Sequence, residues 1–242
     1  MVYKTEAIVL RNTHYSESSV ICKTYTKVHG IRSFLINGVR KPKAKISMSS
    51  LQPLNILQLE AYEKSSNNLQ RVKELRCEPL LVNISQDFRK RGVALFIIEL
   101  LNACLWEEDG DETLFNFIKE EILALEHGKE VSNFPLYFMM KYAKVLGIEP
   151  HGSYSNDNPY FNLDTGSFHS HRDEHSIPSD LSRLLYELKL NAGQQHHLLM
   201  SGKQRRELLN SLILYFQFHI MKNREMKSLK VLTEVMEAWH TV

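Results

Sequence analysis

The sequence predicts an α+β chain of the sequential kind, all-β and then all-α: a small closed barrel of about five strands, then a helical bundle. Three observations carry this. Short β-branched and aromatic runs, separated by turn residues, fill the first 80 positions. From Pro79 onward the apolar pattern changes to helical spacing. The charge is also divided. Residues 1–80 carry 13 Lys and Arg against 6 Asp and Glu, whereas the remainder carries 17 against 22. A formal net charge of +2 therefore conceals a basic first third, an asymmetry that points toward a polyanion.

Taken in order, Glu6–Arg11 and Ser18–Thr26 read as strands, and Lys27-Val28-His29-Gly30 reads as the turn into Ile31–Asn37. Leu51–Tyr62 alternates in part, with Pro53 marking an edge or a strand start. Gln70–Cys77 fits a fifth strand or a short helix. Val93–Trp106 is apolar almost all round, as in the central helix of a bundle. Asp109-Gly110-Asp111 breaks it, and Glu112–Glu126 resumes with Leu114, Phe117, Ile118 and Ile122. Phe134–Leu146 has Pro135 in its first turn and Gly147 at its C-terminal end. Residues 148–178 read as an irregular insertion or a small hairpin, with short pieces such as Tyr160–Leu163. Three leucine-rich stripes close the chain: Leu181–Leu188, Leu208–Ile220, and Leu232 with Val235, Met236 and Trp239. Ser201 to Gln204 forms a capping-box pattern, and Ser228 is placed as an N-cap. The domain boundary is set at 79/80, with residues 1–79 as the barrel and 80–242 as the helical domain.

Cys22, Cys77 and Cys104 are odd in number and widely spaced, which argues against a disulfide framework and predicts reduced thiols in a cytosolic protein. The first residues lack the apolar run of a leader, and Val93–Trp106 is too short to span a bilayer, so a soluble chain with no membrane partner is expected. His151, His169, His171 and His175, with Asp157, Asp164 and Asp173, cluster in the irregular segment, but their spacing fits no standard zinc site. Glu107 to Glu112 does not follow the calcium-loop pattern and reads as an acidic turn between helices. Nucleophile-elbow, P-loop and dinucleotide signatures are missing, and Ser201-Gly-Lys203 lacks the upstream glycine of a phosphate cradle. His196-His197 reads as surface, and His219 as a hydrogen-bonded packing histidine. No catalytic residue, cofactor or metal is expected, and the chain is read as a non-enzyme.

The candidate site is a run of cations. Arg40, Lys41, Lys43 and Lys45 fall within six residues, directly after a strand and around Pro42. Lys23, Lys27 and Arg32 lie on the preceding hairpin, and Arg11 on the first strand. A small barrel can array such charges along a phosphate backbone; the bland alternative is a solvated loop. Tyr25 and Phe34 lie close to these cations, as base-stacking platforms or as core aromatics.

In combination these residues resemble the RecO family of bacterial recombination mediators in DNA repair. Glu6-Ala-Ile-Val-Leu-Arg11 followed by Tyr15-Ser-Glu17, Thr24-Tyr-Thr-Lys-Val-His-Gly30, Asn37-Gly-Val-Arg-Lys-Pro-Lys43 and Leu51-Gln-Pro-Leu54 match its barrel pattern in order. Phe218-His219 and Lys227-Ser228-Leu229-Lys-Val-Leu232 match its last helix pair. The resemblance implies an N-terminal OB barrel and a C-terminal helical domain. It further implies binding of single- and double-stranded DNA, annealing of complementary strands, and recombinase loading on DNA coated by single-stranded DNA-binding protein (SSB). Its implied partners are RecR and the acidic C-terminal tail of SSB, and its implied location is the bacterial cytoplasm, at the nucleoid. Many family members carry a four-cysteine zinc module; the matching segment, about Pro150–Arg172, has no cysteine, so no zinc is expected. Asn37 stands where many relatives have Lys.

Two functional readings follow. One is a DNA-binding mediator acting through Arg40, Lys41 and Lys43 first, then Lys23, Lys27, Arg32, Lys45 and Arg11. The other is a helical protein-interaction adaptor with incidental nucleic-acid binding, to RNA as well as DNA.

Overall fold

A computed structural model describes residues 2–41, 44–62, 69–106, 110–192, 198–222 and 225–238. The chain forms two compact units, Met1–Ala94 with Leu100–His127, and Leu95–Glu99 with Gly128–Val242.

In the first unit five strands close a barrel: β1 (Val2–His14), β2 (Val20–Thr26), β3 (Gly30–Ile36), β4 (Ile56–Tyr62) and β5 (Leu69–Cys77), in the order β1-β2-β3-β5-β4. β1 is the pivot. Val2 to Ile8 pair with β4, Ala7 to His14 pair with β2, and the register shifts between Val9 and Arg11. A bulge there bends one strand enough to serve both neighbours. This is why β1 outruns the predicted Glu6–Arg11: its polar ends still pair. β5 runs parallel to β3 and antiparallel to β4, so Gln70–Cys77 is the strand of the two alternatives. Its register shifts at Lys73, so Val72 and Leu75, three apart, both pack on the barrel core. The predicted Leu51–Tyr62 strand divides. Met48–Leu51 is a 3-10 turn capped by Ser47, Pro53 lies in the connection, and β4 begins at Ile56. Ala7, Val9, Val20, Cys22, Phe34, Ile36, Leu57 and Leu59 fill the interior.

Three helical pieces follow: α1 (Val82–Gln86), α2 (Phe88–Cys104) and α3 (Glu112–His127). Asp111 starts α3, accepting from the Leu114 N–H at 2.9 Å. Gly110 is sterically required. A Cβ there would lie 2.3 Å from the Val28 carbonyl carbon in the β2–β3 turn. Phe115, Ile118, Ile122 and Leu125 form the buried face of α3. The buried Glu126 carboxylate accepts from the N–H groups of Asn83 and Ile84, the free donors at the start of α1.

The second unit holds α4 (Phe134–Val145), a hairpin of β6 (Tyr160–Asn162) and β7 (Ser167–His169), α5 (Ser179–Asn191), α6 (Gly202–Phe216) and α7 (Ser228–Ala238). α4 ends in a Schellman turn: Gly147, at φ +73°, donates to Lys144, and Ile148 donates to Ala143. The Ser201–Gln204 capping box is present on α6. The Ser228 expectation is corrected. Ser228 is the first helical residue rather than the cap, and its N–H and hydroxyl both donate to Glu99. The His219 Nε2–H donates to the Leu163 carbonyl at 3.0 Å, and the ring packs on Tyr215, the packing role predicted for it. Because a carbonyl can only accept, Nε2 carries the proton in this tautomer. His196-His197, Trp239 and Glu107 to Asp109 lie outside the described residues.

Candidate nucleic-acid interface

The basic loop hangs from two anchors in the barrel core. Val39 is buried at its start, and Ile46 and Met48 pack on the core at its end. Between them Gly38 takes φ +74°, the Lys41 N–H donates to the Gly38 carbonyl, and the Ala44 N–H donates to the Lys41 carbonyl. These turns leave Arg40, Lys41 and Lys45 exposed. Lys43 lies outside the described residues. The loop root is tied sideways: the Ser19 hydroxyl donates to Asn37 Oδ1 at 2.9 Å, joining it to the β1–β2 turn. Asn12 on β1 donates to the Leu51 carbonyl just beyond the loop.

Arg11 and Lys23 lie farther along the barrel wall, Lys23 at the midpoint of β2. They are register partners across β1 and β2, and Lys23 is flanked by the buried Cys22 and Thr24. Strand alternation therefore turns Lys23, with Arg11 opposite it, to the outer surface. Neither they nor Arg40, Lys41 and Lys45 have a carboxylate in ion-pair range among the described residues.

The other two cations are elsewhere. Arg32 pairs in register with Thr24, shares the strand face of Phe34 and Ile36, and donates to its own Ile31 carbonyl at 2.8 Å. Lys27 follows the far end of β2. Seven residues at ~3.3 Å each put the ends of that strand roughly 20 Å apart. Lys27 there pairs with Glu112 at 2.8 Å, and the hydrogen bond to this carboxylate raises its pKa. The structure thus gathers Arg40, Lys41 and Lys45 in one loop and pairs Arg11 with Lys23 at mid-strand, whereas Lys27 lies past the far end of β2 and Arg32 on the other strand face from Lys23.

The aromatics take the core role. Phe34 is fully buried, and Tyr25 is 4% exposed against Phe115, its hydroxyl donating to the Asp111 carbonyl. Burial pushes the Tyr25 phenol up to about 12. In the irregular segment His169 bonds Thr165 and Ser167, while Asp173 accepts from Asn162, Ser176 and the His175 N–H. The hydrogen bond from the Ser176 hydroxyl, helped by those from Asn162 and His175, outweighs desolvation and lowers the Asp173 pKa. Among the described residues no three His, Cys, Asp or Glu converge on a metal position. The tie between Ser19 and Asn37 escaped the sequence reading. A register counted outward from the Thr26–Gly30 turn would have found it, since Val20 pairs with Ile36.

A closed five-stranded barrel of this strand order, continued by helices, is an OB-type barrel protein with a helical C-terminal part. Residues 1–79 match the family described as Recombination protein O N terminal, and residues 85–230 the one described as Recombination protein O C terminal. The DNA repair protein RecO of Flavobacterium psychrophilum is 31% identical, over 97% of this chain and 99% of that protein. That of Bacteroides fragilis is 31% identical over 98% and 100%, and that of Azobacteroides pseudotrichonymphae 29% over 98% and 100%. The chain belongs to the RecO family, a family of DNA repair and recombination proteins. Among the described residues no helix is long and apolar enough to cross a membrane.

Proposed function

We propose that this protein is a non-enzymatic mediator of recombinational DNA repair in the bacterial cytoplasm. It binds single- and double-stranded DNA without sequence preference, anneals complementary strands, and assists recombinase loading on SSB-coated DNA with RecR and the SSB tail as partners. Family membership supports the role. The observation that carries the DNA contact is the basic loop at one end of the barrel, whose exposed Arg40, Lys41 and Lys45 have no carboxylate in ion-pair range among the described residues, with Arg11 and Lys23 paired on the barrel wall.

The mechanism is electrostatic. Cations on a rigid barrel end displace counterions from two backbones and lower the repulsion between them, so complementary bases can meet. Lys43 and the boundary at 79/80 belong to the same proposal. The test is an annealing assay with the full chain, because α3 and the barrel share one compact unit. Reversing Arg40, Lys41 and Lys43 to Glu abolishes annealing if the reading holds. Unchanged annealing places the site elsewhere, and salt-independent binding by the wild type favours the adaptor role.

A further inference from the structure

Tyr15 is the most exposed aromatic residue among those described, at 57%. It sits in the turn between β1 and β2, at the barrel end that carries the basic loop. The turn is fixed by its own backbone. The N–H groups of Tyr15 and Ser16 both donate to the Ser19 carbonyl, and the Ser19 N–H donates back to Ser16. The Ser19 hydroxyl then ties this turn to Asn37 at the root of the basic loop. The Tyr15 ring and hydroxyl have no partner among the described residues. Tyr25 and Phe34, the aromatics nearest the cations in sequence, are buried.

A fixed, exposed, unpartnered ring beside backbone-binding cations is the arrangement that holds single strands. Cations follow the phosphates, and the ring stacks on a base whose face is free. In a duplex the base faces are covered by their neighbours, so the ring has nothing to stack on. We infer that Tyr15 is a base-stacking residue that gives the cationic barrel end its preference for single-stranded over duplex DNA. The inference rests on the DNA-binding reading above and adds the class of strand to it.

The experiment compares the full-length wild type with Tyr15→Ala, Tyr15→Phe and Tyr15→Trp. Each is titrated with a short oligothymidine and with a duplex of equal length, over a salt series. Tyr15→Ala is expected to weaken single-strand binding by about 5- to 100-fold, the range for one lost base stack. Its duplex affinity and its salt slope stay at the wild-type values, because no cation is removed. Tyr15→Phe keeps the wild-type preference, and Tyr15→Trp shows indole fluorescence quenched by the oligothymidine and not by the duplex. Equal loss on both nucleic acids, or no loss on either, overturns the stacking role and leaves the cationic site standing. A wild type without salt-dependent DNA binding overturns both readings together.

Discussion

The two ends of the barrel use the same residue types for opposite purposes. At one end Arg40, Lys41 and Lys45 face water, and none of them has a carboxylate in ion-pair range among the described residues. At the other, Lys27 pairs with Glu112, and Lys119 reaches Glu6 at 2.6 Å, so α3 is fastened to the barrel by ion pairs. Tyr25 on Phe115 and Gly110 under Val28 complete that contact. A cation with a carboxylate neighbour helps hold an element in place. A cation without one keeps its field for a ligand. Charge density in the sequence does not distinguish the two; only the position of the acids does.

The largest expected effect is on binding. Replacing Arg40, Lys41 and Lys45 by Glu should reduce DNA affinity on the order of a hundredfold and lower the slope of log K against log salt by roughly three, about one per lost phosphate contact. Filter binding or anisotropy over a salt series reads both quantities, and thermal stability should be unmoved. The mirror experiment acts on the other end. Gly110→Ala forces a methyl into the Val28 carbonyl and should cost about 2 kcal/mol, a fall in Tm of roughly 4–8 °C, while the salt slope keeps its wild-type value. If Gly110→Ala changes the slope and not Tm, the division of labour between the ends is wrong.

A smaller effect follows from Glu6. Burial pushes its pKa up, but the hydrogen bonds from Lys119 and Gln58, together with the nearby positive charge, outweigh burial and hold it below 4.5. A carboxylate with a lowered folded pKa stabilises the protein fully above its unfolded value, and this contribution disappears as pH falls through the folded value. Glu6→Gln should therefore lower stability at neutral pH, with the gap to wild type closing below about pH 4.5. Urea melts at several pH values measure it. A gap that is constant with pH removes the ion pair as its cause.

The barrel was legible because β pairing leaves a strong local trace. Alternating apolar residues and the turn at Gly30 placed β2 and β3 to within a residue or two, and period change marked the helices. The bulges were not legible, since the shift at Val9/Arg11 is decided by β4, some 50 residues away in sequence. The same limit governed the site. Eight cations stand out in the sequence as candidates, but alternation and long-range pairing decide which ones share a surface. Lys23 and Arg32 look equivalent on one hairpin, yet Lys23 is opposite Ser33 and Arg32 opposite Thr24, on opposite strand faces. Lys27 looked free because its acid is 85 residues downstream.

The smallest expected effect is the sharpest comparison, because Lys23 and Lys27 are four residues apart, one midway along β2 and the other just past its end. Lys23→Ala removes a mid-strand cation that has no ion-pair partner among the described residues. It should weaken DNA binding severalfold and reduce the salt slope by about one, with no change in Tm. Lys27→Ala removes a cation already held by Glu112, at the end remote from the loop. Affinity and slope should match the wild type, with only a slight loss of thermal stability, which Glu112→Ala should reproduce and the double variant should not deepen. The same net charge is lost in both single variants, so any difference in binding reports position alone. Equal losses of affinity would mean that the protein's overall field attracts DNA, and that neither end of the barrel is a site.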